Sequence, residues 1–255
     1  MKFISNKLCT VTVLLLMISS SNAKEVVVVG LAHFPPFIEA RSHEVSGLAK
    51  KMLSLMNKHQ DKYEFISVRT MASARHREFK AGKHDMSLFD NLSWGWEGFD
   101  VKASNVYLTG GEVYIALAKP GRDQSYFSDF KHKQMIGMAG YHYGFADFNS
   151  DAGYLQTHYN MNFTESNLGS IKMLLAGNRG DIGVVTKAFL AKYLLQNSDD
   201  KEKLLISKKM DQEYNHSVVI RNNIKPTVEE INVLLQKLNS NGSLPFLWRS
   251  IQSID

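Results

Sequence analysis

The segment FKAGKHDM at residues 79–86 has a counterpart in the segment LAGNRGDI at residues 175–182. Each segment contains the end of an apolar, helix-like stretch, an Ala-Gly pair, a short polar or glycine-containing link, an aspartate and the first residue of an apolar run. Glycine is favoured just after a helix because it adopts the left-handed backbone conformation without steric cost. One pattern at two equivalent places predicts two lobes of the same design.

The chain around the first segment alternates strands and helices. Residues 26–31 (VVVVGL) form a continuous apolar run, which is typical of a strand buried on both faces. A helix capped by Ser46 is predicted from apolar residues at positions 48, 52, 55 and 56. A strand is predicted at 63–68 and a helix at 72–80. This order predicts an α/β lobe with a mainly parallel sheet.

The middle of the chain repeats that order. Residues 135–139 predict a strand, and the aromatic turn GYHYG follows at 140–144. Apolar residues at positions 168, 171, 174 and 175 predict a helix, and residues 182–185 the next strand. Near the end, Thr227 and Glu230 have the spacing of a capping box, which predicts the start of another helix.

The first 23 residues have the pattern of a cleaved export signal. Lys2 and Lys7 precede the apolar run TVLLLMI at 12–18, and Ser21-Asn22-Ala23 supplies the small residues before a cleavage site. The run is too short to span a bilayer. We therefore expect residues 1–23 to be removed and the mature protein to lie in the periplasm. Cys9, the single cysteine, falls in this segment, so we expect a core without disulfides.

The composition argues against several other functions. The net charge of +5 includes Lys2 and Lys7, so it falls to +3 after cleavage, and the remaining basic residues are scattered. Such a distribution does not indicate nucleic-acid binding. The sequence contains no nucleophile elbow, no His-Glu-x-x-His and no phosphate-binding glycine loop. We therefore expect no catalytic residues, no cofactor and no metal site.

The order and spacing of these pieces resemble the type 2 periplasmic solute-binding proteins of family 3, the amino-acid-binding group that serves ABC importers. The resemblance extends over nearly the whole chain after residue 23. It is carried by Phe34-Pro35-Pro36-Phe37, Ser46-Gly47-Leu48, Gly82-Lys83-His84-Asp85, Tyr107, Val113-Tyr114-Ile115-Ala116, Gly177 to Asp181, Val218-Val219-Ile220-Arg221 and Asn241-Gly242-Ser243-Leu244.

The resemblance implies an α/β fold of two Rossmann-like lobes with the ligand in the cleft between them. It implies crossing segments near Leu117–Gly121 and Ile206–Tyr214. Lobe 1 would be discontinuous, with residues 24–116 and 215–255, and lobe 2 would contain residues 117–214. Such proteins bind by hinge closure, because the solute contacts both lobes and thereby favours the closed state.

The sequence departs from the family at the residues that hold an amino acid. In amino-acid binders of this family an arginine binds the ligand carboxylate, but the family spacing leads here to Glu97, and no arginine lies between Arg77 and Arg122. The acidic residue that pairs with the ligand ammonium is replaced by Thr186. Glu97 could reverse the charge of that arginine and attract a cation, or it could be an exposed acidic residue of the loop. In the first case the solute would be amine-like or heterocyclic rather than an ordinary α-amino acid.

The candidate ligand residues belong to four segments. Aromatic side chains could stack on a ring or hold a cation, and amide groups of the turn at 140–144 could bind an anion. Trp94 and Trp96 would point the same way in an extended segment, although the pair could instead fill the base of a lobe. The predicted ligand-binding residues are Phe34, Phe37, Asn91, Trp94, Trp96, Glu97, Tyr141, His142, Tyr143 and Thr186.

The sequence is compatible with three functions. The first is a monomeric periplasmic protein that captures a small polar solute, amino-acid-like, amine or heterocyclic, and delivers it to an inner-membrane permease. The second is a sensory protein of the same fold that presents its ligand to a membrane receptor. The third is a dehydratase-type enzyme on the same fold, for which Glu97 would be the cleft acid.

Overall fold

The computed structural model describes residues 23–40 and 44–252. The predicted export signal lies outside these residues except for Ala23. The strands are β1 (Glu25–Ala32), β2 (Tyr63–Thr70), β3 (Met86–Asp90), β4 (Val101–Ala103), β5 (Leu108–Leu117), β6 (Met135–Met138), β7 (Asn162–Thr164), β8 (Ile182–Thr186) and β9 (Leu204–Arg221). The α-helices are α1 (Leu48–Lys58), α2 (Arg75–Lys80), α3 (Ala152–Tyr159), α4 (Asn167–Leu175), α5 (Lys187–Gln196), α6 (Val228–Ser240) and α7 (Ser243–Gln252).

The strands form one continuous sheet in two halves of matching order. The order is β2-β1-β3-β9-β5-β8-β6-β7, with β4 paired to β9. In what we call the first sheet half, β3 lies between parallel β1 and antiparallel β9. In the second sheet half, β8 lies between parallel β6 and antiparallel β5. The equivalent positions of β3 and β8 explain why the segments that lead into them, 79–86 and 175–182, resemble each other.

The elements predicted around these segments are confirmed, with one correction at a helix start. Strands β1, β2, β6 and β8 and helices α1, α2, α4 and α6 lie where the patterns predicted them. The start of α1 is corrected, because Gly47, with φ 86°, is its cap and no side chain caps it. Asp85 and Asp181, the paired aspartates, accept hydrogen bonds from Arg221 Nε at 3.1 Å and from the Gln134 amide at 2.9 Å. Both therefore act as structural groups.

Two long antiparallel strands join the sheet halves. β9 pairs with β3 and β4 through Ser217–Arg221, and its earlier residues pair with β5. β5 also pairs with β8, through Glu112–Ile115. Each of these strands therefore contributes to more than one part of the sheet, and the boundary of each lobe stays a prediction. No helix within the described parts of the chain is both long and apolar enough to cross a membrane.

Candidate functional site

A cavity of about 60 Å³, which we call the central cavity, lies between the two sheet halves. One wall comes from the residues after β1, the start of α2 and the loop after β3. The other wall comes from the turn after β6 and from β5. Its lining residues are Ala32, His33, Phe34, Ile38, Ala72, Arg75, Ser87, Leu88, Phe89, Asp90, Trp94, Glu112, Gly140, Tyr141 and His142. The carboxyl ends of parallel strands open into loops, which is where ligands of open α/β sheets bind.

The two walls approach each other closely at Gly140. This residue has φ 77°, and a Cβ atom placed on it would lie 2.6 Å from the Ser73 amide nitrogen of the other wall. Any larger residue would collide with that backbone and adopt a strained conformation. Tyr141 spans the same gap, since its hydroxyl donates to the His33 carbonyl at 2.9 Å. These contacts bring side chains of both sheet halves to the same space.

Aromatic rings of both sheet halves line the central cavity: Phe34, Phe89, Trp94 and Tyr141. Phe34 meets Trp94 edge-on, with centroids 5.6 Å apart and planes at 83°. It meets Tyr141 in the same way, at 5.7 Å and 84°. These edge-to-face geometries are favourable for ring pairs. The cavity therefore has aromatic, apolar walls contributed by both sheet halves.

A buried ion pair lies in the wall formed by α2 and β3. Arg75 Nε is 3.7 Å from Asp90 Oδ2, and both side chains are less than a tenth exposed. Arg75 also donates to the Trp94 carbonyl at 2.6 Å. Asp90 accepts hydrogen bonds from Ser87 Oγ at 2.8 Å and from Trp96 Nε1 at 2.9 Å. The two charges therefore compensate each other inside the wall.

A second acidic residue, Glu112, faces the cavity from β5. It is 3% exposed, and its Oε2 accepts a hydrogen bond from Gln212 Nε2 at 3.1 Å. The amide oxygen of Gln212 accepts from Trp94 Nε1 at 3.0 Å. Burial, and to a smaller extent the negative charge of nearby Asp211, raises the pKa of Glu112 to about 8.

His142 completes the polar part of the lining. Burial is the main reason that its pKa falls to about 3, and the positive charge of Arg75 acts in the same direction. The ring is therefore neutral at neutral pH. Its Nε2 would lie 2.9 Å from a Cβ atom on Gly95, so the loop after β3 passes close to this ring because Gly95 has no side chain.

Four predicted ligand residues line the central cavity: Phe34, Trp94, Tyr141 and His142. Their contact with a solute stays a prediction. Phe37 lies directly behind them, 1% exposed and stacked on Phe89 at 5.3 Å, and does not belong to the lining.

Three of the predicted ligand residues in the loop after β3, Asn91, Trp96 and Glu97, lie outside the lining of the central cavity. This segment forms turns, so Trp94 and Trp96 do not point the same way. Trp96 instead packs with Phe79 and Val219 in a separate cluster. Asn91 donates to the Asn215 carbonyl at 3.4 Å, outside the cavity lining. Glu97 is exposed to solvent, two residues beyond Gly95, which has a positive φ.

The other two predicted residues of the second sheet half, Tyr143 and Thr186, are buried and do not belong to the cavity lining. The Tyr143 hydroxyl is bonded to the backbone of Met138, accepting from its N–H at 2.5 Å and donating to its carbonyl at 3.2 Å. Thr186 is fully buried at the start of α5, where its hydroxyl accepts from Asn167 Nδ2 at 3.2 Å. Both side chains use their polar groups within the protein, so neither lines the cavity.

The turn amides predicted to hold an anion are partly occupied by the protein itself. Asp211 on β9 accepts from the Gly144 amide at 2.8 Å and from the Phe145 amide at 2.9 Å. Its Oδ1 also accepts from the Tyr114 hydroxyl at 2.6 Å. An internal carboxylate thus takes the position expected for an anionic group of the ligand.

Sequence reasoning missed the charged lining. Arg75, Asp90 and Glu112 carried no motif, although one signal was present: Glu112 is the single charged residue in the run LTGGEVYIAL of β5. A charge in an otherwise apolar strand indicates a buried polar group with a specific role. Among residues 23–40 and 44–252, no three His, Cys, Asp or Glu side chains are grouped as metal ligands.

Comparison with known proteins shows the fold. No family model matches the sequence, and no curated protein matches it. A mutant of ArgBP from T. maritima has a TM-score of 0.68 at 18% identity, covering 89% of this chain and 95% of that one. The chain has the two-lobed fold of type 2 periplasmic binding proteins.

Two further structures with this fold indicate its range. A binding component of an ABC transporter from Wolinella succinogenes, complexed with lysine, has a TM-score of 0.68 at 14% identity and covers 90% of this chain and 96% of that one. The ancestral amino acid-binding protein AncCDT-1, a precursor of cyclohexadienyl dehydratase, has a TM-score of 0.64 at 15% identity. The match covers 89% of this chain and 95% of that one. The fold thus accommodates binding proteins and the ancestor of an enzyme.

Proposed function

We propose that this chain is a periplasmic solute-binding protein that captures a small polar solute between its two lobes by hinge closure. It would act as a monomer, after removal of residues 1–23, and deliver the solute to the permease of an ABC importer. The main support is the central cavity, whose lining comes from both sheet halves and combines aromatic faces with buried polar groups. A solute there would contact both lobes and therefore stabilise the closed arrangement.

The same site would serve a sensory protein that presents its solute to a membrane receptor. The two uses share the binding step and differ in the partner that recognises the closed form. Cross-linking in the periplasm followed by co-purification distinguishes the two uses. A permease in the purified complex indicates transport, and a receptor indicates sensing.

We propose that the chain has no catalytic activity. The structural similarity to AncCDT-1 keeps a dehydratase as the second candidate, and Glu112 replaces Glu97 as the acid of the cavity. A carboxyl group with a raised pKa could transfer a proton. Incubation with cyclohexadienyl acids, followed by chromatography, tests this candidate, and turnover there would replace the binding function.

Native mass spectrometry of the purified protein tests the binding function directly. We expect a non-covalent adduct of a small molecule that is released by mild activation. Small-angle scattering should then show a smaller radius of gyration with the released molecule added back than after its removal. A protein that carries no adduct and shows no thermal shift with any of a panel of amino acids, amines, nucleobases and short peptides would contradict the proposal.

The variant Tyr141→Phe tests whether the contact between the two cavity walls supports binding. It removes the hydrogen bond to the His33 carbonyl that connects the two walls, and one such bond contributes about 1 kcal/mol. We expect about 5-fold weaker binding of the released molecule by calorimetry. Glu97→Gln is the matched control, and it should bind with wild-type affinity because Glu97 lies outside the cavity.

A further inference from the structure

The charges in the wall of the central cavity do not balance when all its acidic groups are ionised. Arg75 and Asp90 lie 3.7 Å apart and compensate each other. The Arg75 guanidinium is also directed to backbone carbonyls, of Trp94 at 2.6 Å and Ala72 at 3.4 Å. Glu112 then remains as the lining residue whose ionised form lacks a compensating charge.

The surroundings of Glu112 contain further acidic and phenolic groups. Within the described part of the chain, no Lys, Arg or His nitrogen lies within 4.0 Å of its carboxylate. Asp211, on the same strand as Gln212, repels it. The charge of Glu112 also contributes to the raised pKa values of three tyrosines: Tyr114 on β5, Tyr143 in the turn after β6 and Tyr214 on β9. His142 is neutral, and the Arg75–Asp90 pair adds no net charge.

The other walls of the cavity suit a positive charge. Phe34, Trp94 and Tyr141 line the same cavity as Glu112. Aromatic faces attract cations, and this attraction grows when the cation leaves water. A buried carboxylate paired with a cation is far more stable than a buried carboxylate alone.

We propose that the solute is a small organic cation, a primary or substituted amine, whose ammonium group binds the Glu112 carboxylate while its carbon skeleton packs on the three aromatic rings. This inference rests on the proposed solute-binding function and specifies the class of solute. The ammonium provides the charge that the wall lacks, and Glu112 releases its proton to the solvent as the ammonium binds.

Matched compounds that differ only in charge test the class. The probes are ethyl, isobutyl and benzyl skeletons, each as amine, alcohol and carboxylate, measured by calorimetry with the full mature protein. We expect the amine of at least one skeleton to bind at least 30-fold more tightly than its alcohol, and the carboxylates not to bind. Equal affinities for amine and alcohol, or tighter binding of a carboxylate, would overturn the inference.

The role of Glu112 is tested by Glu112→Gln with Glu97→Gln as the control. We expect the first variant to lose at least 30-fold in amine affinity and the second to match the wild type. The wild type should bind the amine about 50-fold more tightly at pH 8 than at pH 6, since about 1% of Glu112 is ionised at pH 6 and half at pH 8. Glu112→Gln should abolish this pH dependence, and its persistence would refute the assignment.

Failure of the inference can be told apart from failure of the proposed function. A neutral or anionic molecule released from the native protein, with closure on its return, overturns the cation but leaves solute binding intact. Absence of any adduct and of any closure overturns both. The wild-type comparison of amine, alcohol and carboxylate does not depend on how well Glu112→Gln folds.

Discussion

Gln212 on β9 donates its side-chain amide to the Glu112 carboxylate on β5, with 3.1 Å between Nε2 and Oε2, where these two strands join the sheet halves. The same amide group donates to the His142 carbonyl, and its oxygen accepts from Trp94 Nε1. Gln212 therefore links both walls of the central cavity to the strands that connect them. Glu112 therefore lies where β5, β8 and β9 connect the two sheet halves.

The stability of the protein should depend on pH through Glu112. Its pKa is about 8 when folded and close to 4.5 when unfolded, so the folded state holds a proton that the unfolded chain has lost between these values. The stabilisation is complete below pH 4.5 and is lost as the pH rises to about 8. The free energy of unfolding should decrease by about 1 kcal/mol per pH unit between pH 6.5 and 7.5.

Urea unfolding at pH 6.5, 7.0 and 7.5 measures this slope. Glu112→Gln should remove it, because glutamine does not titrate, and Glu97→Gln should retain it. An unchanged slope in Glu112→Gln would mean that another group causes the loss.

His216 should produce the opposite dependence in acid. It is fully buried among Phe34, Phe37 and Phe89, and burial lowers its pKa to about 3 from 6.5. The unfolded chain therefore binds a proton that the folded state excludes, and stability falls as the pH decreases from 6.5 towards 3. His216→Leu should reduce the slope between pH 5.5 and 4.5 by about 1 kcal/mol per pH unit, measured by urea unfolding. His76 and His142 leave a residual slope, since their pKa values are also lowered by burial.

Tyr143→Phe should reduce stability and leave solute affinity unchanged. The substitution leaves the buried Met138 N–H without its acceptor, which costs about 1–3 kcal/mol in the free energy of unfolding. The ring packs away from the cavity lining, so affinity for the co-purified molecule should equal that of the wild type. Tyr141→Phe is the matched comparison, with weaker binding as its main effect. A binding loss in Tyr143→Phe equal to that in Tyr141→Phe would restore Tyr143 as a ligand residue.

Thr227→Ala should destabilise the start of α6. Thr227 and Glu230 form a reciprocal capping box, and Glu230 also accepts from the Tyr63 hydroxyl at 2.9 Å. Loss of the cap should cost about 1 kcal/mol in urea unfolding. Gln236→Ala, an exposed change in the middle of α6, should have a smaller effect, and equal losses in the two variants would argue against the cap.

The sequence alone determined the features whose cause is local. The continuous apolar run of β1, the capping box of α6 and the matching segments at 79–86 and 175–182 reflect backbone preferences and periodic burial within a few residues. The two-lobed architecture follows from the repetition of such segments. Phe34 and Tyr141 were predicted near the cavity from the same kind of local signal, because each follows a strand end.

Only the tertiary structure decided which polar groups face the cavity. Family spacing led to Glu97, but the segment after β3 forms turns in which Glu97 is exposed to solvent. Glu112, 15 residues later, reaches the cavity because β5 pairs with β8 and β9 at the same point. The pKa of a buried acidic group depends on neighbours that are distant in sequence, which for Glu112 are Gln212 and Asp211. The sequence pattern of β5 does not reveal these neighbours. For that reason the sequence determined the fold, and the packing of distant strands determined the chemistry of its cavity.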